Sequence, residues 1–221
     1  MSDGPGDFVS RLNRLDSCAI SDALDKLRIA GVVPGLPQYA STRRIAGRVL
    51  TVKLGTGARS SEKPRHLCAA AIELAQPADI LVVEQRTGVV AGCWGGILTL
   101  AAKLRGISGV VADGLVRDID EARQHDFPVF ARGLTTFTAR GRVVEISTNQ
   151  PVRIGDVEVK FGDYTIADSS GVVFIPADDI ERVLTAGEEI AAREAAMIKA
   201  LLAGEPVTRV MGTDYEHMLR R

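Results

Sequence analysis

Residues 89–118, VVAGCWGGILTLAAKLRGISGVVADGLVRD, contain the pattern that decides the fold. A short apolar run breaks into a turn at Gly95 and Gly96, and a helical pattern follows that ends at Gly106. The next apolar run, ISGVVADG, is typical of a buried strand. Strand, glycine turn, helix and strand in this order predict an α/β domain.

The flanking sequence extends this alternation in both directions. On the amino-terminal side we predict two helices with a break near Ser17, a strand in RIAGRVLTVKL, a helix in SEKPRHLCAAAIELA that begins near Pro64, and a strand in ADILVVEQ. On the carboxyl-terminal side we predict a short helix in IDEARQHD, a strand in FPVFARG, a β-rich block over 134–176, and a helix over 178–203 with a possible interruption at Gly187. The buried face of the helix after the glycine turn is predicted to carry Leu98, Ala101, Ala102 and Leu104.

Length and charge restrict the class of protein. The 221 residues suggest a single domain over 1–221, and an apolar fraction of 46% is enough for a sizeable core. The 27 basic and 28 acidic residues leave a net charge of −1, so there is no strong field for nucleic-acid binding. We therefore expect a small-molecule substrate and no nucleic-acid partner.

The cysteines and the apolar runs indicate in which cellular compartment we expect the protein. Cys18, Cys68 and Cys93 are an odd number without a CxxC pair, which is typical of reduced thiols in the cytosol. The amino terminus has no signal-peptide core, and no apolar run approaches the ~20 residues that cross a bilayer. We expect a cytoplasmic protein that makes no use of a membrane.

The glycine turn is a candidate anion site. Free backbone N–H groups and the helix dipole meet where the helix begins after Gly96, which suits a negatively charged group. The turn matches neither GxGxxG nor a P-loop, so a carboxylate is favoured over a nucleotide. The alternative is a tight turn that only lets helix and strand pack closely, and both interpretations stay open.

The exit of the following strand, DGLVRDIDE at 113–121, is a second candidate. The guanidinium of Arg117 suits a carboxylate or an oxyanion, and Asp118 offers a hard oxygen ligand for Mg²⁺ or Mn²⁺. Acidic residues in the first turn of a helix would explain Asp118, Asp120 and Glu121 without a site, but they would not explain Arg117. Local chemistry alone leaves both interpretations open.

Other reaction types find little support. His66, His125 and His217 have no metal-ligand spacing, and no nucleophile elbow or Cys–His arrangement is visible. A methyl-donor fold would need a glycine-rich turn after its first strand, and none is present near the amino terminus.

The two candidates join in one motif, G-x20-R-D-x2-E, formed by Gly96, Arg117, Asp118 and Glu121. The chain resembles the family of the regulator of ribonuclease activity A and the class II 4-hydroxy-4-methyl-2-oxoglutarate aldolases. SDALDKL, FPVFARG and GVVFIP look like further family landmarks, so the resemblance covers about 21–204.

The resemblance implies a layered β/β/α swivelling-domain fold of the phosphohistidine-domain type, with flanking helices at both ends. It also implies a homotrimer or a hexamer with active sites between subunits. In the aldolases of the family, the counterparts of Arg117 and Asp118 bind the pyruvate moiety and a divalent metal, Mg²⁺ or Mn²⁺. The counterparts of the Ile97 and Leu98 amides, after the turn at Gly95 and Gly96, hold the pyruvate carboxylate.

The chain departs from several relatives at one position. Those relatives carry an acidic residue where this chain has Gly96, and Asp113 or Glu121 is a candidate to replace it near the metal. We therefore expect a metal-dependent lyase that cleaves 4-hydroxy-2-oxo acids and releases pyruvate, with oxaloacetate decarboxylation as a side activity. The alternative is a non-catalytic regulator that binds a ribonuclease.

Overall fold

A computed structural model describes residues 5–57 and 66–212 of the protein. The helices within these ranges are α1 (Pro5–Leu12), α2 (Ser17–Leu27), α3 (Ala69–Leu74), α4 (Gly96–Leu104), α5 (Ile119–Gln124), α6 (Ile180–Leu202) and α7 (Val207–Val210). The strands are β1 (Val32–Val33), β2 (Gln38–Ala40), β3 (Ile45–Gly55), β4 (Ile80–Glu84), β5 (Gly92–Trp94), β6 (Gly109–Val116), β7 (Val129–Leu134), β8 (Val144–Thr148), β9 (Val152–Ile154), β10 (Val157–Val159), β11 (Tyr164–Asp168) and β12 (Gly171–Ile175).

A mixed sheet organises the fold. Its main path runs β1-β12-β11-β3-β4-β6-β7-β2, with β5 paired to β6 and β8 paired to β3. The centre is parallel, because β3, β4, β6 and β7 run in one direction. The flank formed by β11, β12 and β1 is antiparallel, and β9 and β10 form a separate hairpin.

The sheet separates apolar layers. Residues of α3 and α4 pack with the side chains of β4 and β6 that point to one face, such as Leu81 and Val110. Val82 and Val111 point to the other face and pack with residues of the β9–β10 hairpin. Near-continuous apolar runs in β4 and β6 follow from this burial on both faces. A third cluster joins α1, α2 and α6 to β11 and β12.

This arrangement confirms the predicted layered α/β fold with flanking helices at both ends. It corrects the prediction at three places. The helix predicted to begin near Pro64 begins only at Ala69, because Cys68 has a left-handed backbone conformation that a helix cannot continue through. Helix α6 continues through Gly187. The glycine there serves packing and does not end the helix, because a Cβ would lie only 3.1 Å from Ile20 Cδ1 of α2. Leu104 is 78% exposed and does not face inward. Pro64 and His217 lie outside the described residues.

Among the helices of residues 5–57 and 66–212, none is both long and apolar enough to cross a bilayer.

Candidate active site

The glycine turn and the charged strand exit lie side by side. Strand β5 runs parallel to the end of β6, with Gly92 opposite Leu115 and Trp94 opposite Val116. The Arg117 N–H donates to Trp94 O at 3.0 Å, which extends this pairing one residue beyond β6. The start of α4 and the start of α5 therefore meet at the carboxyl ends of parallel strands, where α/β sheets commonly bind ligands.

Each glycine of the turn faces one charged side chain. An ideal Cβ at Gly92 would lie 3.0 Å from Arg117 Cγ, and one at Gly95 would lie 2.8 Å from Asp118 Oδ2. An ideal Cβ at Gly96 would lie 1.5 Å from the Glu121 carboxylate oxygen Oε2. The glycines thus allow close approach of the charged residues as well as a tight turn. The interpretation as a close-packing turn is therefore observed, and the interpretation as an anion site stays a prediction.

Asp118 links the two segments. Its Oδ2 accepts a hydrogen bond from the Gly96 N–H at 3.1 Å, and its Oδ1 accepts one from Arg117 Nε at 3.1 Å. The residue has φ 56° and ψ 39°, a left-handed conformation that aspartate adopts more readily than most residues. The side chains of Arg117 and Asp118 remain 35% and 32% exposed, so the ion pair is accessible to a ligand.

Glu121 and Asp113 occupy different environments. The Glu121 carboxylate lies beside Gly96 and makes no hydrogen bond or ion pair with another described residue. Asp113 is buried, and its carboxylate accepts from Arg132 Nε at 2.6 Å and from the Gly155 N–H at 2.7 Å. The structure therefore places Glu121, and not Asp113, beside Gly96.

A cavity of about 150 Å³ opens beside this arrangement. This volume corresponds to roughly five water molecules, which is enough for a small molecule. The cavity is lined by the glycine turn, by the start of α4, by Arg117 and Asp118, and by two further segments, 66–67 and 138–140. The Ile97 and Leu98 amides belong to the first turn of α4, where N–H groups have no intrahelical acceptor. The Gly96 amide is already used by Asp118.

A second cavity of about 520 Å³ shares Arg117 and Asp118 with the first. Asp120, Glu121 and residues 134–136 complete its lining. The ion pair is thus open toward two spaces, one beside the glycine turn and one beside α5.

Sequence reasoning missed His66, Thr138 and Arg140, which line the smaller cavity. His66 has no other histidine at metal-ligand spacing, and the segment 138–140 carries no motif. One signal was available for that segment. It follows β7, which runs parallel to β6, so it must emerge at the same edge of the sheet as Arg117.

Buried side chains lie behind the glycine turn, and they do not supply a nucleophile. Trp94 is buried, its Nε1 donates to Thr99 Oγ1 at 2.9 Å, and its ring stacks on Phe127 with centroids 6.2 Å apart. Burial raises the pKa of the Cys93 thiol to about 12, and burial also raises the pKa of Cys68 well above its usual value. Both thiols are protonated at neutral pH and do not serve as nucleophiles there.

The donor set suits a hard divalent cation. No group of three or more His, Cys, Asp or Glu side chains that could hold a metal occurs within 5–57 and 66–212. Asp118 and Glu121 nevertheless place two carboxylates against the neighbouring glycines Gly95 and Gly96. Mg²⁺ is commonly bound through one or two carboxylates and keeps several waters. The residues present therefore fit such an ion.

Comparison with known proteins gives one consistent result. The RraA-like family model, described as Aldolase/RraA, matches residues 17–174. A curated relative from Halalkalibacterium halodurans, provisionally named a 4-hydroxy-4-methyl-2-oxoglutarate aldolase, is 28% identical over 201 residues that cover 91% of each chain.

Solved structures agree with this result. An uncharacterized protein from Pseudomonas syringae pv. tomato superposes with a TM-score of 0.84 at 25% identity, covering 96% of this chain and 100% of that one. RraAS2 of Streptomyces coelicolor, described as an unusual member of the RNase ES inhibitor RraA family, superposes with a TM-score of 0.76 over 88% and 97% of the two chains. Its 24% identity makes this a likeness of fold alone. The family model spans more than half of the sequence and includes the glycine turn and the Arg117–Asp118 pair, and the chain therefore belongs to the RraA-like family of Aldolase/RraA proteins.

Proposed function

We propose that the protein is a divalent-metal-dependent lyase that cleaves 4-hydroxy-2-oxo acids and releases pyruvate. The observation that carries the proposal is the accessible Arg117–Asp118 pair, held beside the free amides at the start of α4. The aldolase name of the Halalkalibacterium halodurans relative supports the same reaction type.

Each polar or charged group of the site has a separate role in this reaction. The substrate carboxylate binds the Ile97 and Leu98 amides, where the helix dipole favours a negative group. The Arg117 guanidinium stabilises the negative charge that develops on the oxo oxygen when the C3–C4 bond breaks. Mg²⁺ or Mn²⁺ held by Asp118 would supply a Lewis acid that polarises this oxo group.

Glu121 has a separate role in this proposal. Its carboxylate has no hydrogen-bonding partner among the described residues and lies at the start of α4. It orients the waters beside Asp118 and receives the proton of the 4-hydroxyl group through one of them. The resulting alkoxide becomes a carbonyl group at C4 as the C3–C4 bond breaks, and the electron pair of that bond forms the pyruvate enolate. The proton taken from the 4-hydroxyl group then returns through the same water to C3, which yields pyruvate and a separate carbonyl product.

The same stabilisation of an enolate serves a second reaction. Oxaloacetate contains the same pyruvate skeleton, and loss of CO₂ from it leaves the same enolate at the Arg117 guanidinium. We therefore propose oxaloacetate decarboxylation as a side activity.

Substitution of the ion pair tests the proposal. Arg117→Ala and Asp118→Ala should each lower pyruvate release from a 4-hydroxy-2-oxo acid by roughly 100- to 1,000-fold, because each removes charge stabilisation at the reacting oxygen. Arg123→Ala is the matched control, because Arg123 lies on α5 and pairs with the exposed Asp120. Near-full activity of a folded Arg117 or Asp118 variant, checked by circular dichroism, would overturn the assignment.

A further inference from the structure

We propose that Arg140 binds the distal carboxylate of the substrate and makes the site selective for 4-hydroxy-2-oxo dicarboxylates over monocarboxylates of the same length. This inference rests on the proposed function and assigns a specificity-determining residue of that same site.

The segment that carries Arg140 is fastened to the glycine turn. The Gly92 N–H donates to Phe137 O at 2.9 Å, and an ideal Cβ at Gly92 would lie 3.2 Å from that oxygen and 3.0 Å from Arg117 Cγ. Phe137 O and the Arg117 side chain therefore flank the same glycine. Thr138, Ala139 and Arg140 follow directly and line the cavity together with Arg117.

The nearby arginines differ in what they bind. Arg117 is paired with Asp118, and the Arg142 guanidinium stacks over the Phe137 ring at 5.1 Å and donates to Thr138 O at 3.3 Å. The backbone N–H of Arg140 donates to Thr138 Oγ1 at 3.3 Å, but its guanidinium makes no hydrogen bond or ion pair with a described residue. Arg140 thus lines the cavity as an exposed arginine whose guanidinium is not engaged by a described residue.

The shape of the substrate explains what this charge is for. The carboxylate of the pyruvate half is held at the start of α4, and the oxo group faces Arg117. The remaining half extends away from these groups, and a carboxylate at its end requires a second donor. A guanidinium presents two parallel N–H groups to a carboxylate, which gives both attraction and orientation. A monocarboxylate leaves Arg140 unused.

Kinetics with paired substrates test the inference. Arg140→Ala should lower kcat/KM for a 4-hydroxy-2-oxo dicarboxylate by about 10- to 100-fold, mainly through KM, because the lost hydrogen bonds hold a group remote from the broken bond. Activity on the matched monocarboxylate should change less than about threefold. Arg140→Lys should restore part of the selectivity, because it keeps the charge without the planar fork. Arg182→Ala, a control at an exposed arginine of α6 that pairs with Asp179, should leave the ratio of the two substrates unchanged.

Binding measurements separate this inference from the proposed function. Calorimetry with 2-oxoglutarate and with 2-oxopentanoate needs no turnover. We expect the wild-type protein to bind the dicarboxylate about 10-fold or more tightly, and Arg140→Ala to abolish this preference. Two results in a folded Arg140→Ala variant would overturn the inference: an equal loss of affinity for both acids, or an unchanged kcat/KM ratio of the two substrates. Neither result would contradict the proposed lyase activity. Absence of pyruvate release from every substrate would instead remove the proposed function.

Discussion

The site depends on its glycines as much as on its charged side chains. Gly95 and Gly96 leave the space that Asp118 and Glu121 fill, so the turn and the charged strand exit form one unit. Asp118 joins them through its bonds to the Gly96 amide and to Arg117. A motif spread over 96–121 is therefore a compact cluster in space.

An exchange of the carboxylate between positions 96 and 121 tests this geometry. Glu121→Ala should lower kcat/KM for pyruvate release by about 10-fold or more, because the site loses its unpaired carboxylate. Gly96→Asp alone should also lower activity, because its Cβ would lie 1.5 Å from Glu121 Oε2 and displace that carboxylate. The double variant should be more active than Glu121→Ala, because the new aspartate restores the charge from the other side. A double variant less active than either single variant would contradict this interpretation.

The sequence predicted some of these residues and missed others for physical reasons. Arg117 and Asp118 were predicted because they follow a recognisable buried strand. Asp113 is near Arg117 in sequence but not in its contacts, because Asp113 lies within β6 and bonds Arg132 and Gly155, whereas Arg117 follows the end of the strand. Arg140 comes from a loop without a motif, and only the sheet order brings it to the cavity.

At the scale of elements, glycines and apolar runs predicted the centre of the chain well. The strand, turn and helix around Gly95 and the short helix after Asp118 are all observed. The antiparallel flank of the sheet was not predicted, because the pairing of β11 with β3 joins segments more than 100 residues apart. No local pattern encodes such a pairing.

The buried bond between Trp94 and Thr99 should stabilise the start of α4. Thr99→Val keeps the shape but leaves the indole N–H without its acceptor, so the free energy of unfolding should fall by about 1–3 kcal/mol. Trp94 is the single tryptophan of the chain, so its fluorescence during urea unfolding reports this change directly. Thr136→Val, at an exposed threonine, is the control. Equal stability of Thr99→Val and the wild type would contradict the role of this bond.

Asp168 should make stability depend on pH. Burial raises its pKa, but hydrogen bonds from the Ser17 N–H, the Ser17 hydroxyl and the Ser170 N–H outweigh burial, so the pKa lies below its ordinary value. A carboxyl whose pKa is lower in the folded state stabilises it above the unfolded pKa of about 3.9, and this contribution is lost as the pH falls through the folded value.

Asp168→Asn removes this carboxylate and tests the predicted pH dependence. It should lower the free energy of unfolding by about 1–2 kcal/mol at pH 7, and the difference from the wild type should shrink below about pH 4. Urea unfolding at several pH values measures this, with the exposed Asp156→Asn as control. A difference that is independent of pH would contradict the electrostatic explanation.

At the scale of the whole molecule, one helix face suggests how chains assemble. Ile97, Leu100 and Leu104 form a stripe along α4, and they are 86%, 42% and 78% exposed in the single chain. Ile97 also lines the cavity, so this apolar stripe begins at the candidate site. Exposed apolar patches of this kind often mark contacts between proteins. We propose that a neighbouring subunit covers it.

Light scattering tests this assembly. We expect a mass of three or six times the 23.6 kDa of one chain. Leu104→Glu should shift the protein toward the mass of a single chain and lower pyruvate release, because a buried unpaired charge destabilises an apolar interface. Gln124→Glu, which adds the same charge on α5, should do neither. A wild-type protein that has the mass of one chain at all concentrations would contradict the proposed trimer.

Pyruvate release from a panel of 4-hydroxy-2-oxo acids, with and without EDTA, tests the proposed lyase most directly. We predict that purified protein releases pyruvate, that EDTA abolishes the release, and that Mg²⁺ or Mn²⁺ restores it in the wild type but not in Asp118→Ala. Release that persists unchanged in EDTA, or no release from any acid of the panel with Mg²⁺ present, would contradict a metal-dependent lyase. The second result together with tight binding to a ribonuclease would favour the non-catalytic regulator.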